Sequence, residues 1–315
     1  MKIIRSSKHS IKFATKHKLN LFDEFLKEYQ KVVNLFIDIF WENPPNNKFE
    51  INKSIIDLVK TDTYLTYRAR NVASYEAYGM VKSELNKKKN EYTKPIHNGK
   101  RIHAYNHIAK IEFSKKSKHF DAWIHIHSIG NKLSFDIPIK FHRHFHKLNS
   151  KGRLMSSCII SRDYVQFSFE INTLPKKKPN KIIGLDTGIN NLLVSSDGVF
   201  YGKNFKERIN KVLRKKQGSK NQQSARRAIK HYIDETVKEI VNSDVDLIVL
   251  EKLTNITKSK KKRNKYTNKL VNNWQVNYLH NRLKQKCEEN RIAYRTVYSY
   301  NTSRICSCGN VSPKK

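Results

Sequence analysis

The chain has 315 residues, with 63 Lys and Arg against 27 Asp and Glu, for a formal net charge of +36. Self-repulsion on that scale calls for a polyanionic partner, and nucleic acid is the first expectation. A membrane surface is the rival, but no stretch approaches the ~20 apolar residues of a spanning helix, and the opening MKIIRSSKHS lacks the apolar core of a signal peptide, so no membrane partner is expected. Four cysteines make no disulfide framework, which implies a reducing, cytoplasmic setting.

Residues 1–13 carry Ile3, Ile4, Ile11 and Phe13 among basic residues and read as an edge strand. From Leu19 to Glu42, Phe22, Phe25, Leu26, Tyr29, Val32, Val33, Phe36, Ile37 and Phe40 follow the 3.6-residue period of a helix. Asn20 is the expected N-cap, and Pro44-Pro45 the stop. Two more helices are expected over 52–59 and 64–86. The second mixes Tyr67, Val72, Tyr75, Tyr78 and Val81 with Arg68, Arg70 and Lys82, so it reads as a core stripe, part of which faces nucleic acid. From about Ile102 to Asn172 the pattern changes to period two, in WIHIH (123–127), 133–139, 159–160 and 164–171. His142, His144 and His146 alternate in HRHFH and are expected on one strand face, solvated or turned to phosphate; no Cys or acid is spaced with them as a metal-ligand set. PKKKP at 175–179 reads as a domain joint.

The second half is organised around KIIGLDTGINNLLVSSDG (181–198) and LIVLEKL (247–253). The first reads as hairpin strands, with Asp186 ending the apolar run 182–185 and a turn at Ser196-Asp197-Gly198. The second is a continuous apolar run ending on Glu251, as suits a strand buried in a parallel sheet. A helix is expected over 224–241 between them. Strand, crossover helix and parallel strand would bring Asp186 and Glu251 together at one sheet edge. A single acid at a strand end is commonly just solvated. Two side by side would repel unless a cation lay between them, so the pair points to Mg²⁺ of the kind used for phosphodiester cleavage.

Basic runs flank this pair. Residues 206–230 hold ten Lys and Arg with one acid, Glu207; residues 258–269 hold seven and no acid. Arg214, Lys215, Lys216, Arg226 and Arg227 in the first run, and Lys258, Lys260, Lys261, Lys262, Arg263 and Lys265 in the second, are the expected phosphate contacts. A helix over 270–290, with Trp274, Tyr278, Leu279 and Leu283 on one stripe, and a strand over 292–298 follow. Cys158 and Cys287 lie in apolar or helical contexts and read as structural.

IIGLDTGINN, LIVLEKL, the basic run after it, Trp274, and TSR followed by CSCG (302–309) resemble the TnpB (OrfB) proteins encoded by insertion sequences, often described as transposases and related to compact type V CRISPR effectors. The motifs cover residues 182–310; before that the resemblance rests on the order of elements. It implies an α+β and α/β, multidomain chain. Residues 1–18 and 95–178 would form a β-barrel wedge domain, and 19–94 a helical recognition insertion. Residues 179–299 would be an RNase H-like (RuvC) domain and 300–315 an incomplete zinc ribbon. The implied activity is RNA-guided DNA cleavage with Mg²⁺, on a guide RNA and a target DNA. By position, Asp186 and Glu251 match the family's catalytic carboxylates, and Cys306 and Cys308 its first zinc-binding pair.

Three departures bear on the chemistry. The cysteine pair is C-x-C where the family has C-x-x-C. The second pair is absent, and so is the third carboxylate; Ser299 also stands where many members have proline. The chain reads as a member cut off inside its ribbon. Structural Zn²⁺ takes four ligands, of which Cys306 and Cys308 supply two. With two carboxylates a second metal ion would be weakly held, so impaired cleavage is expected. The alternative is a non-cleaving RNA-guided DNA-binding protein, or a remnant that still binds RNA.

The charge alone generates one expectation. Binding of structured RNA should weaken steeply with salt, with a log–log slope of about −0.7 to −0.9 per neutralised phosphate. A titration from low to moderate salt reads this directly, and a flat dependence would show that phosphates are not the main contact.

Overall fold

The computed structural model describes residues 2–87, 91–114, 117–176, 178–253 and 264–298. The chain divides into two compact units, Lys2–Asn172 and the residues from Thr173 onward.

In the first unit, β1 (Lys2–Ser10) is an edge strand, as its sequence suggests, paired antiparallel with β7 (Tyr164–Asn172) along its whole length. The long helix α1 (Lys16–Glu42) follows, and the nine apolar residues expected on its inner stripe are all buried. Its N-cap is Thr15, whose hydroxyl accepts from the Lys18 amide, and not Asn20: the first turn is polar, carries no apolar periodicity, and so is invisible to a pattern search. α2 (Lys53–Asp57) and α3 (Tyr67–Leu85) are capped by Asn52 and Thr66. They are tied by buried Arg70, which pairs with Asp57 at 2.7 Å and donates to the Leu65 carbonyl at 2.8 Å. The mixed face of α3 splits as its chemistry demands: Val72 and Val81 enter the core, while Tyr67 and Tyr75 stay exposed.

β2 (Arg101–Ala104), β6 (Arg153–Ser161) and β7 join β1 in a four-stranded sheet, order β1-β7-β6-β2. β3 (Ala109–Phe113), β4 (Ala122–Ile126) and β5 (Phe135–Ile139) form a separate antiparallel sheet. Among the described residues the strands thus pair as two open sheets, and the expected barrel is not closed. Helices α1 and α3 and both sheets share one apolar core.

HRHFH is not a strand. It opens α4 (Arg143–Asn149), with His142 as N-cap, because Phe145 and Leu148 take the core positions at helical spacing. His142, His144 and His146 therefore do not share the face a strand would give them. Instead His142 stacks on His9 at a centroid distance of 4.2 Å and bonds the Lys8 carbonyl through Nε2 at 2.9 Å.

His9 itself is buried on β1. Its Nδ1 lies 3.2 Å from the Lys140 carbonyl, which can only accept, so Nδ1 carries the proton and Nε2 accepts from the Ser7 hydroxyl at 2.9 Å. Burial pulls its pKa from 6.5 down to about 4, assisted by His142 and His144 and opposed by the Lys140 carbonyl and Asp121. Between those two values the unfolded chain binds a proton that the folded chain refuses, so stability falls as pH drops through this window and is level above it. Urea unfolding at pH 7 and pH 5 should show a loss in the wild type that shrinks in His9→Gln by on the order of 1–2 kcal/mol. An equal pH dependence in both proteins would remove His9 as the source.

In the second unit, β8 (Ile182–Thr187), β9 (Leu193–Ser195) and β10 (Phe200–Tyr201) run antiparallel, with Gly198 supplying the φ of +81° at the β9–β10 turn. α5 (Phe205–Leu213) and α6 (Lys220–Asn242) lead to β11 (Leu247–Lys252), parallel to β8 as the crossover reading requires. The expected single helix over 270–290 is two, α7 (Lys265–Asn273) and α8 (Val276–Glu289). Gln275 breaks them with a left-handed φ of 56°, a break that no Gly or Pro announces in the sequence. β12 (Ala293–Tyr298) closes a five-stranded sheet, order β10-β9-β8-β11-β12. Ile183, Leu185, Ile248 and Leu250 share one core with Ile233 and Val237 of α6 and with Leu279 and Leu283 of α8.

Candidate functional site

The placement of the two central carboxylates follows from register. β8 and β11 pair from Ile182↔Leu247 to Leu185↔Leu250. Asp186 and Glu251 come next on each strand. Side chains alternate with period two, so the pairs 183↔248 and 185↔250 point into the helix-covered core. The pairs 182↔247, 184↔249 and then Asp186 with Glu251 point the other way. Both carboxylates therefore leave the same face of adjacent parallel strands, which lie about 4.8 Å apart. Asp186 is exposed and Glu251 half-buried. Asp186 is also held in the antiparallel ladder opposite Val194, and Glu251 in the parallel ladder opposite Val297. Exposed Phe200, Ile182 and Val297 lie on this same open face.

The register is fixed upstream by a residue that sequence reasoning missed. Asp246, buried just before β11, donates its amide to the Lys181 carbonyl at 2.9 Å, and its carboxylate accepts from the amides of Asn180 and Lys181, each at 3.2 Å. Its own carbonyl accepts from Ala293 at 2.7 Å. One residue thus joins the starts of β8, β11 and β12. The only signal in the sequence is an acid directly before an apolar run, which reads equally well as a solvated turn.

The far end of β8 is held from α7. The Trp274 indole N–H donates to the Gly188 carbonyl at 2.9 Å, two residues past Asp186. Beside it, Arg226 donates through Nε to the Asn273 side chain at 3.2 Å, and Asn273 to the Lys269 carbonyl at 2.8 Å. The helix break at Gln275 is what lets Trp274 turn to this position.

The remaining predicted residues fall as follows. Arg214, Lys215 and Lys216 are exposed in the turn between α5 and α6; Arg226 and Arg227 are exposed on α6, and Lys265 is exposed at the start of α7. Lys258, Lys260, Lys261, Lys262, Arg263, Cys306 and Cys308 lie outside the described residues. Cys158 and Cys287 are buried, and burial pushes each thiol up to about 12, as befits structural cysteines.

Two carboxylates on one sheet face, one exposed and one half-buried, fit a hard cation with oxygen ligands: Mg²⁺ leans on one or two protein carboxylates and keeps several waters. Among the described residues no group of three or more His, Cys, Asp and Glu comes together as a metal site, so the pair stands without a third protein ligand of those types. No described helix is long and apolar enough to cross a membrane.

No family model and no curated relative matches this chain. Its fold is similar to that of a Cas12f1 solved with sgRNA and target DNA, with a TM-score of 0.59 and 16% identity over 95% of this chain and 76% of that one. A CRISPR-Cas12f ternary complex (TM-score 0.32, 16% identity, 94% and 74% covered) and the C2c1 of Alicyclobacillus acidoterrestris with single-guide RNA (0.34, 9%, 93% and 62%) also match. Only the first superposes closely enough to speak for the fold.

Replacing Asp246 should loosen the frame that carries the carboxylates. Asp246→Ala strands two backbone amides in a part-buried setting and should cost roughly 2–4 kcal/mol in urea unfolding. Asp246→Asn keeps an acceptor oxygen and should cost clearly less. An Ala variant as stable as the wild type would show that the clamp does not hold the sheet.

Proposed function

We propose that this chain is an RNA-guided DNA endonuclease of the insertion-sequence TnpB kind, in which residues 179–299 act as an RNase H-like (RuvC) nuclease domain. The observation that carries this reading is the shared face of Asp186 and Glu251 at the ends of adjacent parallel strands. The strand order supports it: three antiparallel strands followed by two parallel ones, with the acids on the central strand and its parallel neighbour. The fold likeness to a protein solved with guide RNA and target DNA supports RNA and DNA as the partner classes, and the +36 charge suits both.

In this reading Asp186 and Glu251 would hold Mg²⁺ and would orient the scissile phosphate beside them. When bound, Mg²⁺ supplies Lewis-acid polarisation of the phosphoryl oxygen and an activated water. Exposed Arg226, Arg227 and Lys265 draw the backbone in, and Trp274 fixes the loop after Asp186. Lys258 and the run Lys260, Lys261, Lys262, Arg263 add further basic residues to the sequence between β11 and α7. The sequence alone carries the companion proposal that Cys306 and Cys308 ligate Zn²⁺. The lack of a third acid beside the pair among the described residues favours a second reading, a guided DNA-binding protein that does not cleave.

A guided cleavage assay with Mg²⁺ separates the two. Weak cleavage by the wild type, reduced roughly 100-fold or more in Asp186→Asn and in Glu251→Gln, is the expected outcome, because the two carboxylates would be the ion's only protein ligands of this type among the described residues, and each would help hold the ion that stabilises the transition state by several kcal/mol. Guided binding without cleavage in all three proteins would select the second reading.

A further inference from the structure

α5 and α6 form a helical hairpin, joined by residues 214–219, and pack through Ile209 and Val212 against Ile229 and Ile233. Their outward stripes face each other across a cleft of about 500 Å³. One wall carries Arg208 and Lys211 on α5 and Lys215 just beyond its end, spaced i, i+3, i+7 and so on one side of the helix. The other wall is α6, with Asn221, Ser224, Ala225 and Ala228 at i, i+3, i+4 and i+7. The α6 stripe ends at Tyr232, whose ring lies 3.7 Å from the Arg208 guanidinium and whose hydroxyl donates to the Lys203 carbonyl at 2.8 Å.

This arrangement is selective in three ways. Among the described residues no salt bridge joins a carboxylate to Arg208, Lys211 or Lys215; on α6, Asp234 is engaged with Arg282 and Tyr278, and Glu235 with His231. The cations are thus aligned for an anion from outside, and the Tyr232 ring holds the Arg208 fork in a set plane. The alanines keep the cleft open, at a volume that suits a group of nucleotide size and is too small for a duplex. Asn221 and Ser224 bring both donors and acceptors to the far wall. A ribose 2′-hydroxyl, itself donor and acceptor, is the group that separates RNA from DNA at such a wall.

We propose that this cleft seats a single RNA strand, with its phosphates on Arg208, Lys211 and Lys215 and its ribose hydroxyls on Asn221 and Ser224. The proposal rests on the nucleic-acid reading above and adds to it a defined seat and a sugar preference.

The test uses the full chain with labelled oligouridine and oligodeoxyuridine of equal length. The triple variant Arg208→Gln, Lys211→Gln, Lys215→Gln should weaken oligouridine binding about tenfold or more and flatten the log–log salt slope by about 2, since each lost phosphate contact removes about 0.7. Ala228→Phe, on an exposed position, should weaken binding without any change of charge. The pair Asn221→Ala, Ser224→Ala should narrow the preference for oligouridine over its deoxy counterpart. Thermal melting accompanies each variant, so that lost binding is read only on folded protein. If the triple variant and Ala228→Phe bind like the wild type, the seat is overturned while the guided-nuclease reading stands. Equal wild-type binding of the two oligomers overturns the ribose assignment, and no RNA binding by the wild type overturns both readings.

Discussion

Asp246 makes the geometry of the second unit possible. Its main chain and its carboxylate together fasten the first residues of three parallel strands. Once the starts of β8 and β11 are level, period-two alternation fixes everything downstream. The residues at 183, 185, 248 and 250 fill the core, and those at 186 and 251 leave by the opposite face. A slip of one residue in either strand would send one carboxylate into the helices, where an unpaired charge costs several kcal/mol. The apolar residues therefore enforce the same register that Asp246 sets. β8 is held at its other end too, where Trp274 pins Gly188 just past Asp186. Two fastened ends and a continuous ladder make a stiff mount, as the proposed nuclease site would require.

Two like charges on neighbouring strands oppose folding unless something offsets them. Here the offset has two sources. The face they occupy is open, so water screens Asp186 directly. The helices of this unit are strongly basic, with Arg226 joined through Asn273 to the segment that carries Trp274. The excess of positive charge that would make the chain repel itself lowers the cost of keeping two acids together, and in the proposed reading a bound cation would complete the balance.

Much of this was legible in the sequence, for identifiable reasons. The parallel strands announced themselves as apolar runs, and the acids as the residues that end them. The crossover rule then brought the two together without further information. Long amphipathic helices such as α1 and α6 were equally plain, because nine inward residues in one and a dense core stripe in the other leave no second period to fit. What stayed hidden was decided by single contacts. Thr15 caps α1 where polar residues give no periodicity. HRHFH alternates like a strand, but Phe145 and Leu148 hold it as a helix against the core. The break at Gln275 has no breaker residue, and only the left-handed backbone at that position marks it. Asp246 looks like any acid in a turn until the strands on either side of it are known to meet.

The same unit therefore combines two kinds of order. The sheet positions two short acidic side chains with little freedom, because each is held in a ladder on its outer side, Asp186 opposite Val194 and Glu251 opposite Val297. The helical hairpin positions long cationic side chains, which would normally move freely and lose much of their worth to entropy. Tyr232 limits that loss for Arg208 by fixing the plane of its guanidinium, and the spacing along α5 lines up Lys211 and Lys215 behind it. In the proposed nuclease reading, acids near a reacting phosphate have to be placed to within a fraction of an ångström. Cations that follow a flexible backbone need only share a face. A sheet edge suits the first requirement and a helix stripe the second, and the order of elements β8, β9, β10, α5, α6, β11 supplies both within one continuous stretch of chain.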